Sequence, residues 1–134
     1  MHVRQAWVRV FCEPRALDDT VDFYRGLTGG EVTLRYGYKE QKVRMAGVKS
    51  PTLSVLVVAG EPAARRPFEA IALTLEVDDV EAVRKAFTYI GGEVLEEKAT
   101  ETGAKTLFVR HPDGLLAEYV PHTPTRRTTA AAKE

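Results

Sequence analysis

Apolar and polar residues take turns along several stretches of this chain, which predicts strands. Elsewhere apolar residues fall three and four apart, which predicts helices. Ala6–Cys12 alternates, placing Val8, Val10 and Cys12 on one face and Trp7, Arg9 and Phe11 on the other. Pro14 ends that strand. Asp18 or Asp19 is then placed to cap a helix to about Leu27, with Leu17, Val21 and Tyr24 as its apolar stripe and Gly29-Gly30 as its stop. Glu31–Tyr38 alternates again, with Val32, Leu34, Tyr36 and Tyr38 sharing a face. Lys42–Ala46 and Thr52–Val58 predict two further strands, and Gly47–Pro51 a loop between them. Gly60–Pro67 (GEPAARRP) shows no periodicity and reads as a linker.

The pattern then starts over. Ala70–Val77 alternates, with Ile71, Leu73, Leu75 and Val77 facing one way and Ala72, Thr74 and Glu76 the other. Asp78-Asp79 opens a second helix, Val80, Val83, Phe87 and Ile90 hold helical spacing, and Gly91-Gly92 closes it. Glu93–Glu96 reads as a strand and Lys98–Lys105 as a loop. Thr106–Pro121 reads as a β-hairpin, because Pro112, Asp113 and Gly114 supply the turn chemistry between two apolar runs. Its second arm holds one carboxylate, Glu118, among Leu115, Leu116, Ala117, Tyr119 and Val120. An acid in an apolar strand needs either a wet face or a partner, since unpaired burial of charge is costly.

Both halves thus read strand, helix, then three strands. The repeat is also literal: an Asp-Asp pair opens each helix and Gly-Gly-Glu-Val follows it, at 29–32 and 91–94. The expected fold class is α+β, two βαβββ modules forming a curved mixed sheet around a cleft, with helices on the outer face. The domain would span 1–122, with modules at 6–59 and 68–121, the linker at 60–67, and a polar, patternless tail at 123–134.

Composition narrows the function classes. The chain has 134 residues, enough for one domain with a real core, and 44% of them are apolar. With 19 basic and 19 acidic residues its formal net charge is zero, which gives no long-range pull toward nucleic acid or an anionic membrane. Cys12 is the only cysteine, so no internal disulfide can form, and no apolar run approaches the roughly 20 residues that span a bilayer. A soluble cytoplasmic domain is expected.

The paired βαβββ modules, Asp19–Gly29 (DTVDFYRGLTG), Leu-Glu-Val-Asp-Asp at 75–79, and His-Pro-Asp-Gly followed by Ala-Glu-Tyr at 111–119 resemble the vicinal oxygen chelate superfamily. That superfamily includes glyoxalase I, extradiol dioxygenases, fosfomycin-resistance transferases and bleomycin-binding resistance proteins. Its catalytic members hold a divalent metal on side chains from equivalent strands of the two modules. Carried over residue by residue, the C-terminal carboxylate falls on Glu118 and the ligand before Leu-Glu-Val-Asp-Asp on Ala72. The fourth-strand ligand falls on Ser54, and the first-strand ligand on Gln5 or Trp7. Ala72 has no donor atom, and a working site needs about three protein ligands, so the expectation is no metal and no other cofactor.

His2, His111 and His122 show no ligand spacing; His111 reads as a solvated turn residue and His122 as lying just past the last strand. Cys12 reads as a small core residue. The expected ligand-binding residues are those of the register facing away from the helices, Trp7, Arg9, Phe11, Tyr36, Ser54, Leu56, Ala72, Thr74 and Glu118. Apolar walls with a few polar groups suit a small molecule. Arg9 and Glu118 could instead pair with each other as a structural contact. The resemblance implies a metal-independent protein that sequesters an antibiotic or metabolite, and a homodimer. The alternative is a metal-dependent lyase, isomerase or dioxygenase, or a metal-free enzyme with Glu118 as its base. A regulatory domain with a filled cleft is a third reading.

Overall fold

The computed structural model describes residues 2–99 and 104–122. The expected tail at 123–134 and most of the loop after Ala99 lie outside them. The described chain divides into two units, one of residues 7–70 and one of residues 2–6 with 71–122. The boundary therefore falls inside the first strand, β1 (Val3–Cys12), whose first residues belong with the second half of the chain.

Module one continues through a 3-10 turn (Pro14–Ala16), α1 (Leu17–Thr28), β2 (Glu31–Tyr38), β3 (Val43–Lys49), β4 (Ser54–Ala59) and α2 (Pro62–Glu69). Its strand order is β2-β3-β4-β1, antiparallel except for the parallel pair of β1 with β4, where Trp7 lies beside Ser54 and Arg9 beside Leu56. Module two has β5 (Leu73–Val77), α3 (Val80–Ile90), β6 (Glu93–Ala99), β7 (Lys105–Arg110) and β8 (Leu116–Pro121), in the order β5-β8-β7-β6. Here β5 and β8 are the parallel pair. Each half is thus a βαβββ module with a mixed sheet, and the fold class is α+β. No helix among the described residues is long and apolar enough to cross a membrane.

One helix covers one face of each sheet. Leu17 and Val21 of α1 pack with Ala46, Val48, Val55, Val57 and Ala59, joined by Val10, Cys12, Tyr24 and Val32. Val80, Val83 and Phe87 of α3 pack with Leu75, Val77, Leu107, Val109, Ala117 and Tyr119. Val10, Leu73, Leu75 and Val77 are thus on the helix side as the alternation predicts, whereas Val8 and Ile90 are exposed and Ile71 lies outside the packed set.

Several boundaries differ from expectation. Gly60–Pro67 is not a linker, because 62–69 is a helix. Pro62 occupies its first turn, where a missing N–H costs nothing, and a helix this short loses only one ladder bond at Pro67. Ala64 and Phe68, four apart, are its packing face, and they lie on the side of the module-one sheet opposite α1. Helices therefore do not all share one face. The loop expected at 47–51 starts later, since β3 runs on to Lys49. Gly47 sits in mid-strand because a β-carbon there would come within 3.0 Å of the Leu34 side chain and the Trp7 ring. Likewise β6 extends to Ala99.

β2 also breaks its predicted register. A bulge between Val32 and Leu34 lets Val32 pack with α1 while Leu34 and Tyr36 face the other way. β6 has the same irregularity between Val94 and Glu96, at the equivalent distance from its Gly-Gly.

Candidate functional site

The face of module one turned away from α1 is a second core. Trp7, Val43, Met45, Leu56 and Val58 are buried there, with Phe11, Leu34, Tyr36, Ala64 and Phe68 packed around them. Tyr38 stacks on Phe68 at 6.1 Å and meets Tyr36 edge-on at 5.6 Å. Arg9 donates from Nη1 to the Phe68 carbonyl at 3.3 Å. Of the expected lining residues, Trp7, Ser54 and Leu56 are only 4, 1 and 4% exposed, so they offer little surface to a ligand. The Ser54 hydroxyl is used locally, at 3.4 Å from both the backbone N–H and the carbonyl of Ser50. Phe11, Tyr36 and Arg9 remain half-buried.

Module two is built differently. Its face away from α3 carries, in one row across four strands, Thr74, Glu118, Phe108 and Glu96. Alternation puts them there: Leu75, Leu107 and Tyr119 are turned into the core, so their even-numbered neighbours point out. Glu96 joins the row only because the β6 bulge shifts its register. The Thr74 hydroxyl, nearly buried, donates to Glu118 Oε1 at 3.3 Å. Lys98 places its ammonium 5.5 Å from the centre of the Phe108 ring. Ala72, just before β5, is exposed and gives its N–H to the Leu116 carbonyl at 2.9 Å. The acid singled out in the hairpin is therefore half-buried and hydrogen-bonded to a hydroxyl.

One histidine departs from its sequence reading, and a second, just past the last strand as expected, has a partner. His111 is no solvated turn residue: its Nε2 lies 2.7 Å from the Tyr119 hydroxyl and its ring stacks on Phe87 at 5.9 Å. This contact sits on the α3 side and ties the Pro112–Gly114 turn to the core. Burial pushes the Tyr119 phenol above its ordinary range. His122 sets its Nδ1 2.8 Å from Glu76 Oε1, each side chain 20% exposed. Its backbone N–H continues the ladder to the Val77 carbonyl at 2.8 Å. At the same end of β5, Arg4 donates to Asp78 at 2.6 Å, and that bond holds the Asp78 carboxyl below its usual range. Period-two counting could have found the pair: Glu76 follows Thr74 by two and His122 follows Glu118 by four.

The donor set does not fit a resident divalent metal. The position before Leu75 that faces Glu118 is Thr74, a hydroxyl already donating to it, and Ala72 presents a methyl group. Among the described residues no group of three or more His, Cys, Asp or Glu lies close enough together to hold an ion.

Two βαβββ modules with this hairpin invite comparison with known proteins. The family model for the Glyoxalase/Bleomycin resistance protein/Dioxygenase superfamily matches residues 14–119. The chain belongs to that superfamily. Its structure is similar to that of an uncharacterized protein from Methanosarcina mazei, at 26% identity and a TM-score of 0.75 over 92% of this chain and 95% of that one. A methylmalonyl-CoA epimerase solved with methylmalonyl-CoA and NH4+ is 25% identical, with a TM-score of 0.60 over 92% and 97% of the two chains. The methylmalonyl-CoA epimerase of Mycobacterium tuberculosis shares the fold at 17% identity and a TM-score of 0.62, over 87% and 86%. None of the curated proteins matches this chain. Superfamily membership bears out the resemblance read from the motifs.

Proposed function

We propose that this chain binds a small, partly aromatic or cationic molecule without a resident metal, on the face of module two that α3 leaves uncovered. The observation that carries the proposal is Glu118, a half-buried carboxylate set by the Thr74 hydroxyl and standing between Thr74 and Phe108 in one row. The carboxylate supplies charge, Phe108 supplies an apolar ring, and Ala72, at the start of the same register, is exposed. A cation or a hydroxyl donor on the ligand would bond to Glu118, while a flat group would lie on Phe108.

The test is a titration of isotope-labelled protein with a panel of aromatic amines, organic cations and acyl-CoA thioesters, following the backbone amides of Thr74, Phe108 and Glu118. At least one compound should move all three, and Glu118→Gln should weaken it about tenfold, as expected for a lost charged hydrogen bond. Silence at these amides across the panel would defeat the reading. The 25% identity to the epimerase complex keeps a metal-dependent isomerase as the competing assignment. Elemental analysis of protein purified without chelators decides between them: stoichiometric zinc, nickel, iron or manganese would favour the enzyme. The same reading includes a homodimer, for which the exposed Phe23 and Leu27 of α1 supply apolar surface, and light scattering measures it.

A further inference from the structure

Module two buries two hydroxyls, Thr74 and Thr106, which are 8 and 5% exposed. Thr74 donates to Glu118, whereas the Thr106 hydroxyl makes no hydrogen bond among the described residues. A hydroxyl buried without a partner costs free energy, so its place needs a reason. Among the described residues Arg65 Nε is the polar atom that is sealed from solvent and lacks a hydrogen bond, so the Thr106 hydroxyl still meets water. It does so on the side of Phe108 and Glu118, because Leu107 is turned into the α3 core. Thr106 lies opposite Lys98 as Met45 lies opposite Tyr36 in module one. Met45 is buried, in the cluster on which Ala64 and Phe68 of α2 pack. Module one thus sets a thioether and a tyrosine ring beside a helix, where module two sets a hydroxyl and an ammonium. The Lys98 ammonium stands 5.5 Å from the centre of the Phe108 ring. Its ion pair with Glu96 is loose, at 3.8 Å with the two side chains 62 and 57% exposed.

We infer that Thr106 and Lys98 are the donor end of this face, and that its ligand is a flat aromatic ring bearing a carbonyl oxygen. This rests on the binding face proposed above and narrows its ligand. Thr106 and Phe108 are two apart on β7, so their α-carbons stand about 6.6 Å apart. A carbonyl oxygen on a ring, with its hydrogen bond, reaches about 6–7 Å from the ring centre. A ring held against Phe108 therefore brings that oxygen to the Thr106 hydroxyl, with the Lys98 ammonium beside both. Hydroxyl and ammonium can both donate to one carbonyl. A ring without an acceptor leaves them unpaired, and an ammonium on the ligand would meet Lys98. The aromatic side of the reading is thus favoured over the cationic one.

The probes are acetophenone and ethylbenzene, which share a ring and a size and differ in the oxygen. Titrated into the isotope-labelled whole chain, acetophenone should move the Lys98, Thr106 and Phe108 amides. It should bind about tenfold more tightly than ethylbenzene, the worth of one buried hydrogen bond. Thr106→Val keeps the side-chain shape and removes the donor. In that variant the ratio should fall to about three or less, through weaker acetophenone binding. Lys98→Met should lower the ratio by a smaller factor. A tenfold ratio that survives Thr106→Val would overturn the inference. So would equal binding of the two probes to the unmodified protein, or a loss shared equally by both probes in Thr106→Val, which would make Thr106 a structural residue. Each of these results leaves the face at Thr74, Phe108 and Glu118 standing. Acetophenone silent at Thr106, with another panel compound moving those three amides, overturns the carbonyl ligand and keeps the face. Silence of every compound at all of these amides defeats the face, and the inference with it.

Discussion

The two modules share a plan and differ in what they do with one face of it. Each has a strand, a helix, a Gly-Gly stop, and a bulge just after the following Glu-Val. Past that bulge module one places Leu34, Tyr36 and Tyr38, and module two places Glu96 and Lys98. The first set, with Trp7 and Met45, is apolar enough to gather α2 onto it and become core. The second set stays wet, at the exposed end of a row that runs from buried Thr74 through half-buried Glu118 and Phe108 to Glu96. The same backbone device therefore gives a packed face or a wet one, according to three or four side chains.

The helix ends make the same point on a smaller scale. In α3 the Asp79 side chain accepts the Glu81 N–H at 3.0 Å and caps the helix. In α1 the cap position is Ala16, with no side-chain bond, and Asp18 and Asp19 lie within the first turn. The expected capping by Asp18 or Asp19 is thus replaced by a 3-10 turn that starts the helix earlier. The acids there act on the helix dipole, and Asp18 also lies 3.4 Å from the Arg35 guanidinium. Identical dipeptides do unequal work because the chain enters the two helices differently. At the other end, Gly29 takes the left-handed conformation at φ 71 and bonds back to Arg25, while Gly91 also has a positive φ of 92 but with ψ at 174.

The comparison breaks most easily at the packed face. Trp7→Ala should cost about 3–5 kcal/mol of stability, the usual cost of emptying a core aromatic site. Phe108→Ala, at its half-buried place in module two, should cost about 1–2 kcal/mol and act mainly on binding. Denaturant unfolding of both variants checks the contrast, and equal losses would mean the two faces are not different in kind. Gly47→Ala should cost about 1–3 kcal/mol, because the new methyl meets Leu34 and Trp7. Gly26→Ala, with open space at the same atom inside α1, should gain up to about 1 kcal/mol.

Smaller effects sharpen the picture. Asp79→Ala should cost about 1 kcal/mol by loss of the cap, and Asp19→Ala about half of that or less. Thermal unfolding of the pair measures the difference. The smallest effect is one of pH. Burial raises the native Tyr119 phenol, so its contribution to stability is complete below the ordinary tyrosine value of about 10 and is lost as pH rises through the higher native value. Unfolding curves of the unmodified protein should therefore decline more steeply above about pH 10 than those of Tyr119→Phe.

Much of the fold was legible in the sequence. Alternation gave β1, β2, β5 and the hairpin, and the Asp-Asp to Gly-Gly-Glu-Val repeat gave the paired modules, because both signals arise within a few residues. Glu118 stood out for the same reason, as one acid in an apolar run. What failed were the stretches where a residue is chosen for a distant neighbour. Gly47 looked like a loop until Trp7 was found lying over it, and 60–67 looked like a linker until Ala64 and Phe68 had a sheet to pack against.

By itself, then, the sequence determined that there are two like modules, which register of β5 packs under its helix, and where the turn at Pro112–Gly114 falls. These depend on φ/ψ preference and on periodicity, which are local. Only the tertiary structure decided that Trp7, Ser54 and Leu56 are interior, that the bulges reverse two strands, and that Glu76 meets His122 across 46 positions of chain. Such contacts depend on register between strands, and register is set by the whole packed sheet.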